Sequence, residues 1–405
     1  MSKYIANYHI TDTNAEFVLV KYQNDNYFNV LSRTSEYNSF DIITFDAWYQ
    51  QAAVATKTVV NDSELELNVI FDDNLFENLS FSRFINQLDN NNNLINSSEV
   101  EKSLENLMQK HIKFSNLENF ISSPTINWTT VKGDINKEYA NVPTDREYTK
   151  ISQVFSLFDT GLDRTNLETL KEMFTKPYSE TNLTVTFYLK SQLVASKITD
   201  TAVQSIAVDL NKNYLSLFVV KNGKIFNYKK YDNISLNYLV NKLANHLKVN
   251  NQLVANMIDY HTRLDEFSNG FDEDAEVYKF VVAKYNEFKK RLSNLVLDFY
   301  NLNRKHLDLS NLKSLIVNSE NEFIANDLKE SFSNNFNQLR VQNLLADNVF
   351  TLFTLENKLI QQAILQSNNM LIEKDQNNTI ISRIDYSRSK RNIFARIFTN
   401  LFNHK

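Results

Sequence analysis

Apolar and polar positions alternate in short runs at the start of the chain. Residues 3–10 and 14–22 read as two strands joined by a polar turn at Thr11-Asp-Thr-Asn14. Tyr27–Ser32 reads as a third strand, Phe45–Thr58 as a helix, and Leu65–Phe71 as a strand. A polar loop follows around Asp89–Asn93, and 98–112 spaces Val100, Leu104, Leu107, Met108 and Ile112 as an amphipathic helix capped by Ser98. A strand-rich stretch runs to about Asp159, followed by a helix near Arg164–Phe174 and a strand at Leu183–Leu189. The pattern then repeats. Gln204–Leu210, Tyr214–Lys221 and Lys224–Tyr231 read as strands, the last two joined by Asn222-Gly223, a strong hairpin signal because that turn needs positive φ. Helices are expected at Ser235–Leu247, Gln252–His261 and Ala275–Leu302, then a buried strand Ser314–Val317 and helices at Glu322–Phe332 and Leu352–Ile364. Two α/β halves, each opening with a three-stranded meander, are implied.

Composition narrows the chemistry. The 405 residues carry 43 Lys+Arg against 48 Asp+Glu, a net charge of -5, so no global basic field points to nucleic acid. Cys 0 removes disulfides, thiolate nucleophiles and Cys-ligated zinc. The polar start MSKYIANYHI does not read as a signal peptide, and no apolar run approaches the roughly 20 residues of a spanning helix, so a cytoplasmic location is expected.

Glycine is the outlier, with Gly 4 in 405: Gly133, Gly161, Gly223 and Gly270. No G-x-G-x-x-G or P-loop exists. Abundant Asn, Lys, Ile, Phe and Tyr beside scarce Gly, Pro, Trp and Cys is the signature of AT-rich coding. None of the six histidines has metal-ligand spacing. Asp272-Glu-Asp274 reads first as a solvated helix start.

The order of segments resembles the actin-like (ribonuclease-H-like) superfamily, and within it the bacterial cell-division FtsA family. Three places carry the resemblance. His9-Ile10-Thr11-Asp12 stands where the family has a first phosphate loop, Asp/Glu-Ile-Gly-Thr. Val208-Asp209-Leu210-Asn211-Lys212-Asn213-Tyr214 stands where it has Val-Asp-Ile-Gly-Gly-Gly-Thr. Leu315–Asn321, with Ser319 and Glu320, stands where it has the adenosine loop Ile-Val-Leu-Thr-Gly-Gly-Ala.

The resemblance implies a duplicated two-half fold, with 1–79, 159–203 and 346–368 in the first half and 204–234 and 311–345 in the second. It implies an FtsA-type inserted subdomain at 80–158, and a second-half insert at 235–310 where the C-terminal peptide of FtsZ would dock. It implies a cleft lined by Thr11, Asp12, Asp209, Asn211, Lys212, Asn213, Ser319 and Glu320, with ATP and Mg as the family ligand. Glycine lets main-chain N–H groups press against phosphate oxygens, and none remains at these loops. A degenerate cleft, no expected cofactor and no catalytic residue follow, hence a pseudo-ATPase. Asp209 corresponds to the family's metal-side aspartate, or is simply a polar residue at a strand end.

The end of the chain adds a membrane expectation. After a polar linker, 369–389, the stretch 390–405 puts Ile393, Phe394, Ile397, Phe398, Leu401 and Phe402 on one side of a helix. Lys390, Arg391 and Arg396 flank them, and no acid follows Asp385. Such a helix suits an anionic membrane surface; packing on the core or in a partner groove are the alternatives. The expected function is a non-enzymatic scaffold tethering FtsZ filaments to the membrane, with self-association into filaments. The competing readings are an ATPase or sugar kinase, and an ATP-binding MreB- or PilM-like adaptor.

Overall fold

The computed structural model describes residues 3–23, 26–38, 40–61, 63–89, 106, 125–139, 147–162, 164–178, 183–198, 204–263, 272, 275–303, 312–344, 359–366 and 384–385. The chain divides into two compact units, Met1–Lys197 with Ala346–Lys405, and Ile198–Leu345.

In the first unit β1 (Lys3–Ile10), β2 (Asn14–Gln23) and β3 (Asn26–Glu36) form an antiparallel meander. β3 runs four residues past the expected Ser32, because Arg33–Glu36 pair with Asn14–Phe17 although their composition is that of a loop. β4 (Glu64–Phe71) lies parallel to β1, and β9 (Leu183–Leu189) parallel to β4. A two-residue strand, β15 (Ile384–Asp385), closes that edge antiparallel to β9, inside the stretch expected to be linker. The sheet order is β15-β9-β4-β1-β2-β3.

Helix α1 (Ile42–Val60) begins where the Asp41 carboxylate accepts the Thr44 N–H at 3.1 Å. It packs an aromatic cluster on one sheet face: Tyr49 lies 5.0 Å from Tyr8 and 4.9 Å from Phe174 of α2 (Arg164–Thr175). The opposite face is covered by a second layer. There α3 (Lys190–Ser196) contributes Leu193 and helix α8 (359–366) contributes Ile360, Ala363 and Ile364 against Ile5, Val18, Val20 and Ile70. The earlier part of the helix expected at Leu352–Ile364 lies outside the described residues. With both faces covered, β4 is buried at successive positions: Leu65, Leu67 and Val69–Phe71 are apolar, and the buried Glu66 and Asn68 are met by Lys3 and Asn7.

Between β4 and α2 stands a separate four-stranded antiparallel sheet, in the order β5-β8-β6-β7. Its strands are β5 (Ser80–Asp89), β6 (Thr125–Lys132), β7 (Ile135–Tyr139) and β8 (Lys150–Asp159). A strand, β5, opens this segment, whereas a helix was expected to come first; the expected helix 98–112 lies outside the described residues apart from Asn106.

The second unit repeats the plan. β10 (Gln204–Leu210), β11 (Leu215–Lys221) and β12 (Lys224–Tyr231) form the meander. The turn joining β11 to β12 holds Asn222 and Gly223 at φ 53 and 66, the pair of positive angles a tight hairpin requires. β13 (Leu312–Ser319) lies parallel to β10, and β14 (Arg340–Asn343) parallel to β13, in the order β12-β11-β10-β13-β14. Helices α4 (Leu236–Leu247), α5 (Asn251–Thr262), α6 (Glu276–Asn303) and α7 (Glu322–Asn335) build the core around fully buried Tyr285, Leu292 and Leu328. The order β3-β2-β1-β4-β9 thus recurs as β12-β11-β10-β13-β14. The fold is a duplicated, two-half α/β fold.

Candidate functional site

In open α/β sheets, ligands meet the chain at the carboxyl ends of the parallel strands. Both units bring their expected site residues to those ends.

In the first unit, Thr11 and Asp12 occupy the turn after β1. The Thr11 N–H donates to the Asn14 carbonyl at 2.8 Å. The Thr11 Oγ1 accepts the N–H of Thr13 at 3.2 Å and of Asn14 at 2.9 Å. The turn therefore spends main-chain donors on itself, where a phosphate loop would hold them open. The Tyr37 hydroxyl lies 2.7 Å from the carbonyl oxygens of both Thr11 and Asn14. Burial, and then the Asp12 charge, push its pKa up, so it stays a donor. Asp12 accepts from the Asn74 amide at 3.0 Å.

A second group at this end was not picked out from the sequence. Asp72 and Asp73 follow β4, and Lys190 and Ser191 open α3 after β9; all four are buried. Lys190 Nζ lies 3.6 Å from Asp72, and the Ser191 N–H donates to Asp73 at 3.2 Å. The group's trace in the sequence is a pair of acids directly after one strand and a lysine directly after another, but only the β4–β9 pairing shows that the two ends are neighbours. Three carboxylates, Asp12, Asp72 and Asp73, thus stand in the turns after β1 and β4, and the buried Lys190 is paired with Asp72.

In the second unit, Asp209 pairs with Asn318 across β10 and β13, and Leu210 with Ser319, so the second and third loops are neighbours. Asp209 is fully buried. Its oxygens accept from the Asn318 amide at 2.7 Å and the Asn211 amide at 3.1 Å. The Asn211 N–H donates to the Tyr214 carbonyl at 2.9 Å, and the Asn213 side chain accepts from Asn237 at 2.8 Å. This loop, too, is stitched by its own asparagines. Lys212 is mostly exposed and lies 3.7 Å from Glu320, a surface pair that contributes little. Beyond Ser319, Asn321 caps α7 by accepting the Phe323 N–H at 3.0 Å, and its amide donates to Asp259 at 3.2 Å. Arg263 pairs with Asp259 at 3.0 Å and lies 4.1 Å over the Phe323 ring.

Among the described residues no group of His, Asp and Glu is arranged to hold a metal ion. No described helix is long and apolar enough to cross a membrane. The tail residues Lys390, Arg391, Ile393, Phe394, Arg396, Ile397, Phe398, Leu401 and Phe402 lie outside the described residues.

No family model and no curated protein matches the chain. Solved structures do align. A PilM–PilN type IV pilus biogenesis complex aligns at 10% identity and TM-score 0.48, over 89% of this chain and 98% of that one. MreB5 of Spiroplasma citri bound to ADP aligns at 9% identity and TM-score 0.48, over 93% and 99%. The ethanolamine utilization protein EutJ from Carboxydothermus hydrogenoformans aligns at 12% identity and TM-score 0.39, over 84% of each chain. The duplicated two-half fold rests on the sheet order that this chain repeats within itself.

Proposed function

We propose that this chain is a non-enzymatic, FtsA-like scaffold that ties FtsZ filaments to the cytoplasmic face of the membrane. The observation that carries the non-enzymatic part is the closure of the Thr11–Asn14 turn on its own donors. Catalysis of phosphoryl transfer is mostly positioning and charge stabilisation. Loops that spend their N–H groups internally, beside three carboxylates, supply neither. The four-stranded sheet at 80–159 takes the role of an interaction subdomain in this reading. The stretch 235–310 takes the FtsZ peptide, with the exposed apolar side chains Tyr238, Leu253 and Val277 offering contact area. The tail after β15 supplies the membrane contact.

The competing reading is an ATP-binding MreB- or PilM-like adaptor. The exposed ammonium of Lys212 favours it, because that group remains able to meet a phosphate.

Capture of purified FtsZ on the immobilised full chain, with and without the C-terminal FtsZ peptide as competitor, tests the scaffold. Peptide-sensitive capture is expected. Absence of capture, together with ATP binding and phosphate release, would replace the scaffold with the adaptor.

A further inference from the structure

The duplicated fold contains its own control for edge protection. β3 and β12 hold the same place, each the outer strand of a meander at the edge of its sheet. An open edge presents a row of main-chain donors and acceptors, and proteins guard such rows with charge, lysine above all. β12 has that guard in Lys224 and Lys229, the latter exposed. β3 has none. Its eleven residues, NYFNVLSRTSE, include no lysine, and their charges are Arg33 and Glu36. No residue from 27 to 36 is buried, and Phe28 and Val30 are 50% and 40% exposed. Among the described residues no strand lies on the outer side of β3.

We propose that the β3 edge pairs antiparallel with β3 of a second copy of this chain. Charge permits it: the two charged residues are of opposite sign, so like charges meet only where Arg33 faces Arg33 or Glu36 faces Glu36. Size sets its strength. Eleven residues at about 3.3 Å each give a strip roughly 36 Å long. At a strand's thickness that strip falls well below the ~800 Å² per partner of a standard stable interface. The pairing is therefore a weak, reversible dimer. It is also isologous, so it closes at two copies and does not propagate a filament. The inference stands independently of the scaffold reading, since it uses neither the tail nor the loops.

Sedimentation of the full chain over a concentration series is the test. The mass should move from 47.3 kDa toward twice that value as concentration rises. Ser32→Lys and, separately, Thr34→Lys place the missing guard on exposed positions of β3 and should hold the mass at the monomer value, with an unchanged circular dichroism spectrum. Lys229→Ser on β12 should dimerise like the parent chain. If the parent chain stays monomeric throughout, the proposal is wrong and the edge is left for another protein's strand. If both lysine variants associate as the parent does, another surface is responsible and the proposal is equally wrong.

Discussion

The Tyr37 hydroxyl sits 2.7 Å from the Thr11 carbonyl oxygen, locking the end of β3 to the turn between β1 and β2. A side chain just beyond the end of β3 thus adds a clamp to a turn already closed on its own donors. Tyr37→Phe removes the donor and should cost about 1 kcal/mol, read as a lower urea midpoint. It should not create a nucleotide site, because the N–H groups of Thr11, Thr13 and Asn14 stay committed inside the turn. Calorimetry with ATP and Mg²⁺ should show neither tight binding nor turnover in the parent or the variant. Submicromolar binding with phosphate release would overturn the closed-loop reading.

Asp209 separates a structural role from a catalytic one. Its two oxygens accept from two side-chain amides, those of Asn211 and Asn318. Asp209→Asn turns one acceptor into a donor facing a donor, and should destabilise the chain by about 1–3 kcal/mol. A metal-side carboxylate in a working ATPase would show the opposite pattern, lost turnover with stability kept.

Gly161 closes the passage between the four-stranded sheet and the rest of its unit. Its φ is +67, and an added Cβ would stand 2.5 Å from the Asn78 Cβ. Gly161→Ala therefore meets left-handed backbone strain, worth about 1–2 kcal/mol, and a clash besides. Adding Asn78→Gly should relieve the clash and leave the strain. An alanine variant as stable as the parent, measured by thermal unfolding, would refute this account.

Retained glycines also show why part of the site was legible. In a chain with so few, Gly161 and Gly223 sit at positive φ, where other residues are strained. At Thr11 and Asn211, where no glycine stands, the side chains instead bond within their own loops. Strand positions were legible from apolar runs such as Val69–Phe71, Leu217–Val220 and Leu315–Val317, whose residues are buried on both faces. The run Arg33–Glu36 was not, because its pairing with β2, and not its composition, makes it a strand. Nor was the Asp72–Lys190 group, whose members lie far apart in sequence and meet only through the parallel register of β4 and β9. The two-residue β15 carries too little pattern to read at all.

Lys171 gives a pH dependence. It is buried in α2, and burial lowers its pKa to about 7 from 10.5, with the nearby Glu168 opposing the shift. Between those values the unfolded chain binds more protons than the folded one, so stability rises with pH. The slope is at most about 1.4 kcal/mol per pH unit. Above pH 10 the sign reverses, because buried Tyr8 and Tyr49 keep their protons in the fold after the unfolded chain has lost them. Lys171→Met should flatten the rise between pH 7 and 10 while leaving the fall above it. Denaturant midpoints across that range read both arms, and an unchanged slope in the variant would exclude Lys171 as the cause.

The tail prediction decides the membrane part of the proposed function. β15 pairs antiparallel to β9, with Asp385 opposite Thr184, so the segment that follows begins at the sheet edge. Full burial of an Ile, Phe or Leu side chain contributes about 1.5–3 kcal/mol. Six of them, partly immersed, together with about 1 kcal/mol from each basic residue near anionic lipid, outweigh the cost of ordering a short helix. Reversible binding is expected, stronger on anionic vesicles and weakened by salt. Phe394→Glu with Phe398→Glu should release the protein into the supernatant, because two charges would enter the apolar layer. Truncation before Lys390 should release it equally while leaving the unfolding transition in place. Co-sedimentation of the truncated chain at the parent level would show that lipid contact lies elsewhere. Loss of the folded state on truncation would instead assign the apolar stripe to the core.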